Sequence, residues 1–342
     1  MLDAPNSRQP RNSLRLQTQA KALRTVHTLT ELKDALTWAQ NHALAVLPLG
    51  EGSNVVLQPQ LNALVLVIKL LGREKLNETD GHVTLRIGAG ENWHALVTWS
   101  LEQGYYGLEN LALIPGTVGA APIQNIGAYG CELAPFVTAV HSRYCRDGSA
   151  LSLSREECGF GYRDSVFKQR LADQLVITHV DLQLAKQPAV NTQYPALQSA
   201  IEAAGQANNA TPQNVYDAVV ALRRARLPDP AIEPNAGSFF KNPVVPQDLA
   251  VALQQQYPGI PVFPVNQQQR KLAAAWLIEQ AGWKGQRLGG VGIHSGHALV
   301  LVNYGANSGP AILALAAKIQ ASVAQKFAVQ LEIEPRIYGA LA

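Results

Sequence analysis

The sequence has little charge, few cysteines and no long hydrophobic run. Only 15% of its 342 residues are charged, 47% are hydrophobic, and the formal net charge is +3. It contains no block of consecutive basic residues, so nothing indicates a dedicated nucleic-acid surface. The longest apolar candidate, residues 63–68, has the length of a strand, far short of the 18 residues expected of a membrane-spanning helix. We therefore expect a globular protein with no nucleic-acid partner and no membrane association.

The three cysteines, Cys131, Cys145 and Cys158, are widely spaced. An odd and sparse count argues against a disulfide framework and for a reducing compartment. None of them has the CxxC or Cys/His spacing of a metal site, so we predict no metal and interpret all three as small buried hydrophobes. The length of the chain exceeds that of one typical core and predicts two or three domains.

The N-terminal region allows two interpretations. Residues 8–24 contain five basic side chains and no acidic one, as a transit peptide can. However, residues 22–26 lead directly into a helix start, which is typical of a first strand. We favour the strand and a cytoplasmic location.

Periodicity and turn residues predict an α+β protein. Residues 28–31 form a capping box that opens an amphipathic helix, and with strands at 44–47 and 63–68 they predict a βαβ-like unit. A second set contains strands at 83–87, 137–144 and 174–184 and helices at 92–102 and 211–226. After a proline break at 227–230 we predict helices near 246–256, 271–281 and 309–325, and strands near 288–293, 298–303 and 328–334.

Two glycine-rich segments could bind a ligand. Residues 50–54, Gly-Glu-Gly-Ser-Asn, follow an apolar strand, and successive amides in such a turn can bind an anion; a plain tight turn is the alternative. Residues 114–130 are rich in small side chains that leave room for a flat ring, with Gln124, Asn125 and Tyr129 as polar neighbours. This segment suits a flavin, and a buried omega loop is the alternative.

Three further segments carry polar side chains that could take part in binding or catalysis. In residues 235–243, Gly237 lets the backbone approach a ligand, so that Ser238 is presented rather than packed. In residues 160–164, Arg163 could pair with Asp164 at the surface or bind a carboxylate in a cleft. Alternation along the predicted last strand places Glu332 and Glu334 on one face.

Taken together in their order along the chain, the motifs resemble the UDP-N-acetylenolpyruvoylglucosamine reductases, over about residues 10–340. The segment 194–197, Tyr-Pro-Ala-Leu, is similar to the tyrosine-bearing loop of the type I branch. The resemblance implies an α+β protein with an FAD-binding fold of the vanillyl-alcohol-oxidase type in two subdomains, plus an α+β substrate-binding domain. The implied divisions are 1–72 and 73–227 for the two subdomains, with the C-terminal strand 328–342 returning to them, and 228–327 for the substrate domain.

The resemblance also implies a reaction. NADPH would reduce tightly bound FAD, and the enolpyruvyl ether of UDP-N-acetylglucosamine would then receive a hydride at C3 and a proton at C2. The product, UDP-N-acetylmuramate, serves peptidoglycan synthesis and hence cell shape and division. The implied partner is this small UDP-sugar alone, and we expect a monomer.

The family's motifs assign candidate residues by position. Ser238 would donate the proton, while Arg163 and Glu334 would stabilise or polarise the enolate. Tyr194 would cover the uracil, and Arg226 and Asn242 would hold the diphosphate, with Tyr162 and Lys284 as further substrate contacts. The FAD contacts would be Gly50, Glu51, Gly52, Ser53, Asn54, Pro115, Gly116, Gly119, Ala120, Ala121, Gln124, Asn125, Gly127 and Tyr129.

Departures from the family pattern leave some roles open. Ala120 and Ala121 stand where several relatives have a hydroxyl, so a flavin contact there would come from the backbone. Arg226 replaces a frequent lysine and His297 an expected glutamine. Two other functions stay possible from the sequence: an FAD-linked oxidase of a small hydroxy acid or sugar, and a nucleotide-sugar binding protein without redox activity.

Overall fold

The computed structural model describes residues 9–339. Its α-helices are α1 Leu29–Asn41, α2 Trp93–Glu102, α3 Pro195–Ala203, α4 Pro212–Arg226, α5 Gln247–Gln256, α6 Ala274–Gln280 and α7 Gly309–Phe327. Three short 3₁₀ helices are Glu109–Leu111, Val118–Gln124 and Ala134–Phe136. No helix among the described residues combines the length and the apolar composition needed to cross a membrane.

The first eleven strands lie before the helix pair α3 and α4. They are β1 Gln19–Val26, β2 Ala45–Leu49, β3 Val55–Leu57, β4 Gln60–Ile68, β5 Arg73–Glu78, β6 His82–Gly88, β7 Gly127–Ala128, β8 Cys131–Glu132, β9 Val137–Tyr144, β10 Ala150–Ser154 and β11 Leu175–Ala185. The remaining strands are β12 Asn235–Ser238, β13 Val244–Pro246, β14 Val262–Pro264, β15 Gln269–Leu272, β16 Arg287–Leu288, β17 Val291–Ile293, β18 Val300–Asn303 and β19 Arg336–Tyr338. This mixture confirms the predicted α+β class.

The described chain forms two compact units. The first consists mainly of Ala20–Gly52 and Asn62–Ala225, and the second of Arg11–Gln19, Ser53–Leu61 and the residues from Arg226 onward. Each unit has its own buried apolar cluster. The division into three parts at residues 72 and 227 stays a prediction.

The first unit contains a three-stranded sheet in the order β1-β4-β2 and an antiparallel five-stranded sheet in the order β10-β9-β11-β6-β5. Helix α1 begins as predicted: Thr28 Oγ1 accepts a hydrogen bond from the Glu31 N–H at 3.1 Å. The Glu31 carboxylate accepts from the His27 N–H at 2.6 Å, one residue before the expected partner in a capping box. Leu32, Ala35, Leu36 and Ala39 are buried, so the predicted apolar face of α1 is confirmed.

The second unit is built on a four-stranded sheet in the order β12-β18-β17-β16, with a smaller sheet β13-β15-β14 and the parallel pair β19-β3. The buried face of α7 includes Ile312, Ile319 and Val323, which belong to the core of this unit. The predicted helices near 246–256, 271–281 and 309–325 are confirmed within a few residues.

One prediction made from local pattern was wrong in detail. The last strand is Arg336–Tyr338 rather than 328–334; before it, only Ile333 forms an isolated bridge, with Phe240. The intervening Pro335 has no N–H to donate to a ladder, which explains the interruption. Tyr194 lies at the N-cap of α3 and Leu197 is fully buried, so the segment 194–197 begins a packed helix.

The cysteines are only partly as predicted. Cys158 is buried, whereas Cys131 and Cys145 are half-buried, and all three are free thiols. Burial raises the pKa of each thiol to about 12. Because the thiolate is the reactive form, the raised pKa disfavours reaction of these groups near neutral pH. The basic N-terminal stretch runs into β1 as predicted, except that Arg8 lies outside the described residues.

Candidate active site

The two glycine-rich segments meet within the first unit. Glu51 Oε2 accepts a hydrogen bond from the Gly116 N–H at 3.2 Å, and its Oε1 accepts from Asn92 Nδ2 at 2.8 Å. A Cβ added to Gly50 would lie 2.4 Å from Thr117 Oγ1, so a larger residue there would displace the Thr117 side chain. The resemblance predicted Glu51 to be a cofactor contact. In the structure its carboxylate links the two segments by a hydrogen bond.

The chain after Gly116 is a compact turn of small residues. Gly119 lies so close to Ala89 that a Cβ would come within 2.6 Å of the Ala89 Cβ, and its N–H donates to the Ala89 carbonyl at 2.9 Å. Ala120 and Ala121 follow in the 3₁₀ helix Val118–Gln124, which also contains Gln124. Small side chains therefore line this turn, as a binding surface for a flat ring requires.

Asn125 ends this 3₁₀ helix with a left-handed backbone, φ +46°. Its Nδ2 donates to Glu132 Oε2 at 2.8 Å and to the Gly161 carbonyl at 3.1 Å, while its Oδ1 accepts from the Ala134 N–H at 2.9 Å. The side chain is 1% exposed. Asn125 thus joins the small-residue turn to the segment that carries Arg163.

Arg163 lies against the same turn. Its Nη2 donates to the Gly127 carbonyl at 2.7 Å, and its guanidinium carbon is 5.9 Å from the centroid of the Tyr162 ring. A Cβ on Gly127 would be 3.1 Å from Arg163 Nη1. The backbone of Arg163 is left-handed, with φ +53°. Strained backbone of this kind is enriched at functional sites.

Arg223 belongs to this group, although it is not among the site residues predicted from the sequence. Its Nε donates to the Leu113 carbonyl at 3.1 Å. Burial lowers the pKa of the guanidinium; the Tyr129 hydroxyl opposes this shift and the charge of Arg163 adds to it. Helical spacing could have revealed it, since Val215, Val219 and Arg223 recur every four residues and the two valines are fully buried.

Tyr194 contacts the far end of the small-residue turn. Its ring meets that of Tyr129 edge-on, with 5.4 Å between the centroids. Asn191 Nδ2 donates to the Gly130 carbonyl at 3.1 Å, which ties the two segments together. Tyr194 is 41% exposed, so part of its ring can contact a ligand.

Ser238 and Glu334 are brought together within the second unit. The Glu334 N–H donates to the carbonyl of Phe239, the residue after Ser238, at 2.9 Å. Gly237 has φ +71° with open space at its Cβ position, and its N–H donates to Asn235 Oδ1 at 2.8 Å. Phe239 and its neighbour Phe240 are fully buried, whereas Ser238 is only half-buried. The structure therefore anchors the loop through its aromatic residues and leaves the serine partly accessible.

Other candidate substrate residues gather elsewhere in the second unit. Burial lowers the pKa of His297, and the charges of His294, Arg226 and Lys284 add to the shift, so these three side chains lie near His297. Lys284 Nζ is 2.9 Å from Glu279 Oε1. Asn242 Oδ1 accepts from the Ala274 N–H at 2.9 Å, at the start of α6.

The remaining predicted cofactor residues also have defined surroundings. The Ser53 carbonyl accepts from Ser13 Oγ at 3.2 Å, and the Asn54 carbonyl accepts from the Arg336 N–H at 3.1 Å. Both residues belong to the second unit, whereas Gly50, Glu51, Gly52 and Pro115 belong to the first. Within residues 9–339, no group of three or more His, Cys, Asp or Glu side chains is arranged to hold a metal ion.

Comparison with known proteins identifies the family. An FAD binding domain matches residues 20–154, and the C-terminal domain of UDP-N-acetylenolpyruvoylglucosamine reductase matches residues 229–338. The reductase of Amoebophilus asiaticus is 44% identical over 326 residues, which cover 95% of this chain and 96% of that protein. The chain belongs to the UDP-N-acetylenolpyruvoylglucosamine reductase family.

Further relatives agree with this assignment. The reductase of Chromobacterium violaceum is 48% identical over 85% of this chain and 86% of its own length. The crystal structure of the reductase from Thermus caldophilus has the same fold, with a TM-score of 0.67, 24% identity and coverage of 96% of this chain and 95% of that one. The protein is thus an FAD-dependent oxidoreductase of a family that acts in peptidoglycan synthesis, and the predicted family and fold are confirmed.

The residues of the first unit fit an FAD. At Gly50 and Gly119 an added Cβ would overlap the side chains of Thr117 and Ala89, so the chain is closely packed at both turns. Glu51 joins the turns, and Arg163 and Arg223 add positive charge near Tyr129. Backbone donors and positive charge are what a diphosphate and an electron-accepting ring require.

Proposed function

We propose that this protein reduces the enolpyruvyl ether of UDP-N-acetylglucosamine to UDP-N-acetylmuramate, with NADPH as the reductant. The observation that supports this most directly is the pairing of the Ser238 loop with the Glu334 segment through the Phe239 carbonyl. An oxidase of a hydroxy acid or sugar would have no obvious use for the serine hydroxyl that this loop presents. When bound, FAD supplies the hydride that adds to C3 of the enolpyruvyl group.

Ser238 is the proposed proton donor to C2. After addition of hydride at C3, C2 carries the electron pair of an enolate, which is basic enough to take a proton from a serine hydroxyl. The left-handed turn at Gly237 and the burial of Phe239 and Phe240 support this role, because they restrict the backbone on both sides of Ser238. A positioned general acid is typically worth about 10²- to 10⁴-fold in rate.

Arg163 and Glu334 are proposed to act on the carboxyl end of the substrate. The guanidinium of Arg163 suits a planar carboxylate because it offers donors in a fixed fork. Its hydrogen bond to the Gly127 carbonyl would fix the position of the guanidinium before the substrate binds. A positive charge that is already in place when the enolate forms stabilises it without reorganisation of the site. Glu334 would polarise the group from the serine side.

The proposed substrate contacts have separate tasks. Tyr194 would cover the uracil, since an aromatic ring that is partly exposed can stack on a base. Arg226 and Asn242 would hold the diphosphate, with Lys284 and Tyr162 as further contacts. Arg226 and Lys284 both lie near His297, which supports a common role for these two side chains in substrate binding. A cytoplasmic location and a monomeric state stay predictions.

The function can be tested by an anaerobic absorbance titration of the purified protein. NADPH should bleach the flavin, and the enolpyruvyl UDP-sugar should then restore its absorbance. Return of the colour only on addition of oxygen would favour an oxidase instead. If NADH bleaches the flavin and NADPH does not, the proposed reductant is wrong. Each reductant is therefore titrated separately, and the same enolpyruvyl UDP-sugar is then added as the acceptor.

A further inference from the structure

The loop 111–116, which leads into the small-residue turn, is held by the first two residues of α2. Trp93 Nε1 donates to the Leu111 carbonyl at 2.9 Å, and the Trp93 N–H donates to the Gly116 carbonyl at 3.0 Å. His94 Nδ1 accepts from the Leu113 N–H at 3.1 Å. Helix α2 therefore contacts the loop at its start, middle and end.

Leu113 is the strained residue of this loop. Its backbone is left-handed, with φ +57°, a conformation that costs a residue other than glycine about 1 to 3 kcal/mol. Both of its backbone polar groups are bound by side chains: the N–H by His94 and the carbonyl by Arg223 Nε, each at 3.1 Å. The same residue thus links His94 to the guanidinium that lies near Tyr129 and Arg163.

The surroundings of His94 favour the neutral imidazole. Its ring stacks on Tyr216 of α4, with 5.8 Å between centroids and 14° between planes, and the Tyr216 hydroxyl is 2.8 Å from Thr98 Oγ1. Burial lowers the pKa of His94, and the charges of Arg224 and Arg223 lower it further. An imidazole that accepts at Nδ1 must carry its proton on Nε2.

We propose that His94 is a positioning residue for FAD binding, and that it acts through Leu113 to hold loop 111–116 and the Arg223 side chain in place. Protonation would remove the acceptor at Nδ1 and place a third positive charge beside Arg223 and Arg224. The loop would then lose the contact that holds its strained residue. This inference rests on the FAD-binding assignment and is independent of the roles proposed for Ser238 and Glu334.

The test measures FAD affinity of the full-length apoprotein, by quenching of flavin fluorescence, between pH 5.5 and pH 8. At pH 8 we expect His94→Phe to raise the Kd about tenfold, because one hydrogen bond is lost while a ring is retained against Tyr216. His94→Asn places an oxygen acceptor near the position of Nδ1 and should restore the affinity to within about threefold. Tyr216→Phe keeps the stacked ring and the Nδ1 bond, and serves as the matched control with nearly unchanged Kd.

The pH profile separates positioning from a simple packing role. Wild-type affinity should weaken as the pH falls below the ordinary histidine pKa of about 6.5, whereas the profiles of His94→Phe and His94→Asn should lack this component. Identical Kd values and identical profiles for wild type and His94→Phe would overturn the proposal.

A second measurement covers the case in which His94→Phe does not fold. The ¹⁵N shifts of the wild-type imidazole at pH 7.5 should show Nε2 protonated and Nδ1 as an acceptor. A proton on Nδ1 would contradict the proposal. Neither result depends on turnover, so failure of the proposed reductase activity would be seen separately in the absorbance titration.

Discussion

Two charged residues of the first unit serve the site through the protein's own backbone. Glu51 accepts from the Gly116 N–H and Asn92 Nδ2, and Arg223 donates to the Leu113 carbonyl. Both partners in the main chain belong to the same short loop, 111–116. A charged side chain near a cofactor can therefore act by shaping the loop that binds it, and hydrogen bonds that involve a charged group are the strong ones.

Replacement of Ser238 by alanine tests the proton donor. In Ser238→Ala, reoxidation of the flavin by the enolpyruvyl substrate should slow by about 10²- to 10⁴-fold, because no group remains to protonate C2. Reduction of the flavin by NADPH should keep its rate, since that half-reaction does not use the hydroxyl. Stopped-flow absorbance of the flavin measures both rates.

The matched control is Ser322→Ala, which removes a half-buried serine from α7. Both rates should stay at the wild-type level in this variant. Equal slowing of the two half-reactions in Ser238→Ala would point to a disturbed flavin site and contradict the assignment of the serine as a proton donor.

At the scale of elements, a charged network crosses the five-stranded sheet. Arg86 on β6 donates to both carboxylate oxygens of Asp181 on β11, each at 2.8 Å. His141 on β9 lies 2.9 Å from the same carboxylate through Nε2, and its Nδ1 is 2.8 Å from Ser152 Oγ. One buried aspartate thus joins three neighbouring strands.

The pKa of Asp181 makes this network sensitive to acid. Burial alone would raise the pKa, but hydrogen bonds from Arg86 and His141, with their charges, lower it to about 2. Because the folded pKa lies below the unfolded value of about 3.9, the carboxylate stabilises the fold above about pH 4. That contribution is lost as the pH falls from about 4 towards 2.

Neutralising the aspartate should destabilise the sheet. We expect Asp181→Asn to lower the free energy of unfolding by about 2 to 3 kcal/mol at pH 7, because a pKa lowered from 3.8 to about 2 corresponds to about this much stabilisation by the carboxylate. The loss relative to wild type should shrink below pH 4, where wild type also becomes protonated. Urea unfolding followed by circular dichroism at several pH values measures both effects.

Asp147→Asn is the control for this prediction. Asp147 lies in the exposed turn between β9 and β10, where it accepts from the Ser149 N–H at 2.8 Å. Its replacement should change the free energy of unfolding by less than about 1 kcal/mol. A similar loss in both variants would show that the buried network has no special contribution.

At the scale of the molecule, the two units have separate apolar cores. The first core contains residues such as Trp93, Leu96 and Val219, and the second contains Phe239, Ile312 and Phe327. A ligand that binds only the folded state stabilises that state by mass action. Because the FAD binding domain matches residues 20–154, stabilisation by FAD should be greatest in the first unit.

Hydrogen exchange measured by mass spectrometry can check this expectation. At an FAD concentration of about 100 times the Kd, peptides covering 111–130 should gain protection of up to about 2.7 kcal/mol over the apoprotein. Peptides from α7 serve as the internal control and should gain less. An equal gain throughout the chain would mean that the two units unfold together.

Local signals in the sequence predicted much of the secondary structure. The capping box at Thr28 and the four-residue spacing of Val215 and Val219 led directly to α1 and α4, because helix ends and apolar faces depend on neighbouring residues. Strands β13, β14 and β15 escaped prediction since runs of three or four residues are too short to show alternation. Strand β19 was misplaced because its partner, β3, lies far away in the sequence.

The sequence by itself determined the family and the order of the motifs, since glycine turns and a lone serine loop depend on local backbone requirements. The tertiary structure decided which residues meet: that Glu51 binds Gly116, and that His94 and Arg223 bind the two polar groups of Leu113. These partners are 19 to 110 residues apart. Contacts over such distances depend on the packing of whole elements, which no local pattern records.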